Sequence, residues 1–156
     1  MSISEFLAPE SVSMGIAAHD KAELMAAMLK LVAGRPQITD MSVVERDVQA
    51  REQAMSTGVG KGLALPHAKT QGVSETVAAL AVLAKPVPFD AVDGLPVQIV
   101  FLVLGIPEAK SQHVKILSRV SRLMNQEAVR RRMLAAKNDD ELFAALEDAE
   151  NHLLDE

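Results

Sequence analysis

An α/β fold, a single mixed β-sheet with α-helices on both of its faces, is predicted by three observations. Two stretches, Thr76 to Leu83 and Val97 to Leu104, are almost continuously apolar rather than alternating, as strands covered on both faces are. Segments with apolar residues at steps of three and four stand on either side of them in the chain. The 156 residues, 49% of them hydrophobic, suffice for one core, so residues 1–156 are expected to form one domain.

Val12, Met14 and Ile16 alternate with small or polar residues and predict a first strand. Asp20-Lys21-Ala22-Glu23 then offers a capping box to a helix with apolar positions Leu24, Met25, Met28, Leu29, Leu31 and Val32, which Gly34 and Pro36 stop. A second helix, from Thr39 or Asp40 to the loop at Ser56, carries the stripe Met41, Val44, Val48, Arg51, Met55. Arg51 thus falls on the face expected to be buried. Either its stem packs while its head reaches solvent, or it stands at the edge of the core facing an anion. It precedes the loop by about one helical turn, and its planar fork suits bidentate contact with phosphate.

The segment Ser56-Thr57-Gly58-Val59-Gly60-Lys61-Gly62 runs into Leu63-Ala64-Leu65-Pro66-His67. Its glycines permit positive φ and close backbone approach, so the loop amides are expected to converge on an anion. Pro66 fixes its own φ and holds Leu65 extended, which presents the His67 imidazole at a strand end.

The strand over Thr76 to Leu83 is bounded by Pro86 and Pro88; the strand over Val97 to Leu104 follows the Asp93-Gly94 turn signal and ends at Gly105 and Pro107. Both are expected at the centre of the sheet. A helix from Ser111 onward carries Ile116, Leu117, Val120, Leu123 and Met124 on one face, and stepping that stripe backward reaches His113. Asn125 is placed to cap a segment containing Val129 and Met133, and Asn138-Asp139-Asp140-Glu141 opens a last helix through Leu142, Phe143 and Leu146. The acidic ending, Glu147 to Glu156, reads as a frayed tail.

Composition removes several classes of function. A net charge of −5 argues against broad nucleic-acid binding, and Arg130-Arg131-Arg132 reads as a solvated helix face. The longest apolar run, Ile99 to Leu104, is far short of the roughly 20 residues that span a bilayer, and the N-terminus lacks a secretory pattern, so no direct membrane insertion is expected. The absence of cysteine fits a cytoplasmic setting and excludes a thiolate nucleophile.

Nucleotide-loop patterns fail as well. Gly62 follows Lys61 where a Walker loop needs serine or threonine, and the glycines at 58, 60 and 62 lead into an apolar segment rather than opening a helix. Four scattered histidines without cysteine or a His-Glu-x-x-His pattern give little support to a metal site, a zinc ion between His67 and His113 being the weak alternative, and no cofactor is expected. There is no Gly-x-Ser-x-Gly elbow. His19, before a helix cap, and His152, near the C-terminus, read as surface residues.

His67, His113 and Arg51 remain, with the glycine loop. A neutral imidazole, with an ordinary pKa of about 6.5, is a good nucleophile near neutral pH, and its phosphorylation gives a reactive phosphoramidate.

These residues resemble the enzyme IIA components of the fructose, mannitol and nitrogen-related branch of the bacterial phosphoenolpyruvate-dependent phosphotransferase system. The resemblance covers nearly the whole chain. It rests on Glu45-Arg46 through Arg51-Glu52, Ser56-Thr57-Gly58-Val59-Gly60 through Leu65-Pro66-His67, Phe89-Asp90-Ala91-Val92-Asp93-Gly94-Leu95-Pro96-Val97, and His113-Val114-Lys115-Ile116-Leu117-Ser118. It implies that His67 is phosphorylated, with Arg51 and His113 beside it. The donor it implies is a histidine-phosphocarrier protein, and the acceptor an enzyme IIB cysteine or, in the nitrogen-regulatory branch, target proteins that read the phosphorylation state. Joined to the loop chemistry, it makes Ser56, Thr57, Gly58 and Gly60 the expected phosphate-binding positions, with Lys69 a weaker cationic candidate. The freestanding length favours the nitrogen-regulatory branch over a dedicated sugar carrier. The competing expectation is a non-catalytic binding module that uses the same pocket for an anionic ligand.

Overall fold

A computed structural model describes residues 2–154, excluding the side chains of 153 and 154. Its order is β1 (Val12–Ile16), α1 (Lys21–Ala33), α2 (Met41–Ala54), β2 (Gly58–Gly60), β3 (Leu63–Ala64), β4 (His67–Lys69), β5 (Val77–Val87), β6 (Val97–Gly105), α3 (Lys110–Met124), α4 (Glu127–Leu134) and α5 (Asp139–Leu154). The sheet order is β1-β5-β6-β3-β2, with β4 also on β6. β5 and β6 are antiparallel, β1 is parallel to β5, and β3 and β4 are parallel to β6, so the sheet is mixed as expected.

Strand alternation divides the core between two helical layers. Ala78, Leu80, Val82, Phe101 and Val103 pack with Ile116, Val120, Leu123, Met133, Leu142 and Leu146 from α3, α4 and α5. The neighbours between them, Ala79, Ala81, Leu83, Val100, Leu102 and Leu104, pack with Leu24, Met28, Val32, Val44 and Val48 from α1 and α2. Residues buried on both faces account for the continuous apolar runs.

The helix starts match the sequence signals at α1 and α2. Asp20 accepts from the Glu23 amide at 2.8 Å, and Asp40 from the Val43 amide at 3.3 Å. Asn138 likewise accepts from the Glu141 amide at the start of α5.

Three expectations need correction. β5 does not stop before Pro86; it continues to Val87 past an irregularity in its pairing with β6, at a stretch exposed enough to spare proline's missing N–H. Asn125 does not cap α4. It closes α3, Gln126 precedes α4, and the Asn125 side-chain oxygen accepts from the Lys61 ammonium.

Nor is the acidic ending frayed through its described part: α5 runs to Leu154, and Asp155 and Glu156 lie outside the described residues. Glu150 is 1% exposed. It accepts from the Ile3 amide at 2.6 Å, the Ser2 hydroxyl at 2.7 Å and Arg119 Nε at 2.8 Å, tying the N-terminal segment and α3 to α5. Burial alone would raise its pKa, but these donors outweigh burial and hold it below the usual carboxylate value.

Candidate functional site

β3 and β4 lie along the same edge of β6, pairing Leu63 with Ile99 and His67 with Val103. Between them Pro66 has no amide to donate, while its carbonyl accepts from the Val103 amide at 3.0 Å. The edge strand therefore breaks immediately before the histidine and resumes with it. Ala68 packs against the α1–α2 layer, and His67, one step away, falls on the α3 side.

There it meets His113 from the first turn of α3, with ring centroids 5.7 Å apart and ring planes inclined at 49°. Gly105 makes room for this approach, since a Cβ there would lie 2.6 Å from His113 Nδ1.

The two rings are held differently. His67 Nδ1 is 2.7 Å from the Leu65 carbonyl oxygen, which can only accept, so Nδ1 carries the proton and Nε2 of the neutral ring keeps its lone pair. Burial lowers the His67 pKa below the usual imidazole value; the Leu65 carbonyl opposes that effect, Arg51 reinforces it, and Glu52 opposes it. Both His113 nitrogens are buried without a hydrogen-bond partner among the described residues. Burial, with the positive charge of His67 and Lys69 adding to it, lowers its pKa to about 4, so it is neutral near pH 7.

Arg51 lies in the last turn of α2, and its Nη1 donates to the Met55 carbonyl at 2.9 Å. Half-buried, it is near enough for its charge to act on His67. Met55, assigned to the same buried stripe, is instead 68% exposed. The buried face of α2 is Val44, Val48 and Glu52, a strict spacing of four that identifies the residue overlooked beside Arg51.

Glu52 accepts from the Thr57 amide at 2.9 Å and the Thr57 hydroxyl at 2.6 Å, and pairs with Lys21 at 2.8 Å. Burial raises its pKa, but the bonds from Lys21 and Thr57 prevail and leave it lowered, hence ionised. The Thr57 carbonyl in turn accepts from the Leu65 amide at 2.9 Å, and Leu65 holds His67. A continuous hydrogen-bonded path thus joins Lys21 to the His67 ring.

The glycine-rich segment is a hairpin of β2 and β3 rather than an open loop of unpaired amides. Its turn uses positive φ at Gly60, Lys61 and Gly62, with the Lys61 amide held by Asp93 Oδ2 at 2.9 Å. The Gly58 amide donates to Ser56 Oγ at 3.1 Å, and Ser56 Oγ donates to the Phe89 carbonyl at 2.8 Å. The structure therefore brings together His67, His113 and the charges of Arg51 and Lys69. It turns Ser56 and Thr57 inward and commits the amides of Thr57, Gly58 and Lys61 within the chain.

No group of three or more histidine or acidic side chains among the described residues is arranged to hold a metal ion. No helix there is long and apolar enough to cross a membrane. His19 is exposed, with Nδ1 3.0 Å from Glu23, and His152 is exposed on α5.

Residues 5–149 match the family described as phosphoenolpyruvate-dependent sugar phosphotransferase system, EIIA 2. A nitrogen regulatory protein of Pseudomonas aeruginosa is 29% identical over 149 residues, 96% of this chain and 97% of the relative. A fructose-specific EIIABC component of Bacillus subtilis is 29% identical over 143 residues, which span 92% of this chain but 22% of that protein's length. The crystal structure of the nitrogen regulatory protein IIA-Ntr from Neisseria meningitidis superposes with a TM-score of 0.83 at 29% identity, covering 92% of this chain and 98% of that one.

Proposed function

The chain belongs to the EIIA 2 family of the phosphoenolpyruvate-dependent sugar phosphotransferase system, and on that premise we propose that it is a phosphohistidine carrier charged on His67. The observation that carries this reading is the 2.7 Å bond from His67 Nδ1 to the Leu65 carbonyl, because it fixes the tautomer with a nucleophilic Nε2. In the proposed step the Nε2 lone pair forms the new N–P bond. The donor's N–P bond breaks, its electron pair returning to the donor imidazole.

The product ring, substituted on both nitrogens, is cationic. The Leu65 carbonyl and Glu52, which both favour the charged form of His67, stabilise it. Arg51 and Lys69 supply positive charge for the phosphoryl oxygens, and neutral His113 donates an N–H to one of them. Ser56, Thr57, Gly58 and Gly60 act by shaping the hairpin wall of the phosphoryl pocket, Thr57 chiefly through its bonds to Glu52.

The donor in this reading is a histidine-phosphocarrier protein, and transfer takes place in the cytoplasm with residues 1–156 acting as one domain. The likeness to the Pseudomonas aeruginosa nitrogen regulatory protein in sequence and to IIA-Ntr of Neisseria meningitidis in structure supports the regulatory branch, in which the phosphorylation state is itself the signal; an enzyme IIB cysteine is the acceptor in the sugar branch.

Intact mass spectrometry after incubation with phosphoenolpyruvate, magnesium, enzyme I and the phosphocarrier protein tests the reading. One acid-labile phosphoryl group on the wild type and none on His67→Ala is expected. Failure of the wild type to gain it, with a control acceptor charged in the same mixture, would overturn the reading.

A further inference from the structure

On the far side of β6 from the hairpin, the N-terminal segment, the connection after α1, the start of β5 and the first turn of α3 enclose a polar pocket of about 380 Å³. That is near the lower end of small-molecule sites, which run from roughly 300 to 1,000 Å³. Arg35 forms part of its wall. The side chain's residue is only 8% exposed, yet no carboxylate among the described residues lies within ion-pair distance. Its one hydrogen bond there runs from Nη1 to the Phe6 carbonyl at 3.2 Å.

Arginine is rarely buried without an anionic partner, because its charge must be compensated. A second orphan lines the same pocket: the Gln37 side-chain oxygen is buried with no hydrogen-bond partner among the described residues. Glu5 and Glu75 stand at the exposed rim, and the Thr76 hydroxyl donates to the Gln112 side-chain oxygen at 3.2 Å across the wall.

The arrangement of charge narrows the ligand. A multivalent anion that reached Arg35 would face two glutamates, and a simple cation drawn to the glutamates would face a guanidinium. A small zwitterion satisfies both. We propose that this pocket binds a free α-amino acid, its carboxylate on the Arg35 guanidinium fork and its ammonium group towards Glu75, Glu5 and the Gln37 oxygen. Gln112 immediately precedes His113 on α3, and Ile106, also in the wall, follows the glycine on which the His113 ring packs. An occupied pocket therefore adjoins the support of the histidine pair, although binding itself requires nothing of His67.

The test is a set of two-dimensional amide NMR titrations of the full ¹⁵N-labelled chain with each common L-amino acid, its α-carboxamide, and inorganic phosphate. At least one amino acid is expected to shift the backbone amides of Arg35, Gln37, Thr76 and Gln112 saturably while its carboxamide does not. Arg35→Lys should weaken that binding about tenfold or more, since it removes the bidentate fork. Glu75→Gln, at an exposed position that leaves the fold intact, should weaken it about threefold by removing one charge from the ammonium site.

No amino acid shifting these amides at about 10 mM would overturn the proposal. So would a carboxamide binding as tightly as its acid, undiminished binding by both variants, or saturation of the same amides by phosphate, which would indicate a plain anion site.

Discussion

His67 and His113 face each other across 5.7 Å and are held by opposite means. His67 is fixed through one nitrogen by the Leu65 carbonyl, at a strand break that Pro66 creates. His113 has no hydrogen bond to either nitrogen among the described residues; packing alone, on Gly105 and the core of α3, positions it. In the proposed reaction, a hydrogen bond that selects a tautomer prepares the nucleophile, whereas packing without one leaves the second ring's donor for the incoming group. The same contrast dictates where each ring is vulnerable.

The strongest test removes the packed ring while leaving the bonded one. His113→Ala should slow uptake of the phosphoryl group by about 10²- to 10³-fold, the usual consequence of deleting one preorganised donor, without stopping it. Rapid-quench measurement of phosphorylated protein reads this directly. A rate equal to wild type would remove His113 from the reaction.

A smaller effect should come from Gly105→Ala, which alters neither ring. Its φ is not in the left-handed region, so the backbone accepts alanine, but the new methyl would lie 2.6 Å from His113 Nδ1 and the buried ring must move. Displacement of a catalytic group by about 1 Å can cost up to roughly 10²-fold, and a loss of some tens-fold is expected here. In a His113→Ala background the same substitution should be almost silent, so a double-mutant cycle distinguishes ring displacement from general damage.

The bonded ring is reached through Glu52, with a smaller kinetic effect and a larger structural one. Glu52→Gln removes the charge that favours protonated His67, so the His67 pKa should fall further, as ring NMR would show. Uptake should slow only several-fold, by weaker stabilisation of the cationic product ring. Glu52→Ala also strips Thr57 and Lys21 of their partner, and urea denaturation should report a loss of about 3 kcal/mol, as for other broken buried pairs. An unmoved His67 pKa in the glutamine variant would dissolve the link between the two residues.

Glu52 also shows where the sequence could and could not be read. The central strands were legible because burial on both faces leaves unbroken apolar runs, and His67 was legible because Pro66 announces the strand break. Extending the α2 stripe through Arg51 to Met55 passed over the buried Glu52, whose partners Thr57 and Lys21 come from other elements. A buried carboxylate looks like a surface residue until its donors are known. Glu150 was misread for the same reason, since the amides that hold it belong to Ile3 and Ser4, at the other end of the chain. The glycine segment kept its positive φ, yet its amides were already engaged within the chain, a matter of pairing that spacing does not encode.

The last effect concerns stability, and its sign follows from the packing of His113. Its folded pKa of about 4 lies below the unfolded value of 6.5. Between these values the unfolded chain binds a proton that the folded chain refuses, so stability is fully present above about pH 6.5, declines as pH falls towards 4, and no longer changes from this source below that. His67, also lowered, acts in the same direction over a window starting at the same upper limit. Urea midpoints for the wild type should therefore decrease between pH 7 and pH 4.5. His113→Gln, which keeps a donor but cannot titrate, should show a shallower decrease. If the two slopes coincided, the buried imidazole would have to be gaining its proton in the folded state as readily as in the unfolded one, which a ring held by packing alone and without an acceptor does not permit.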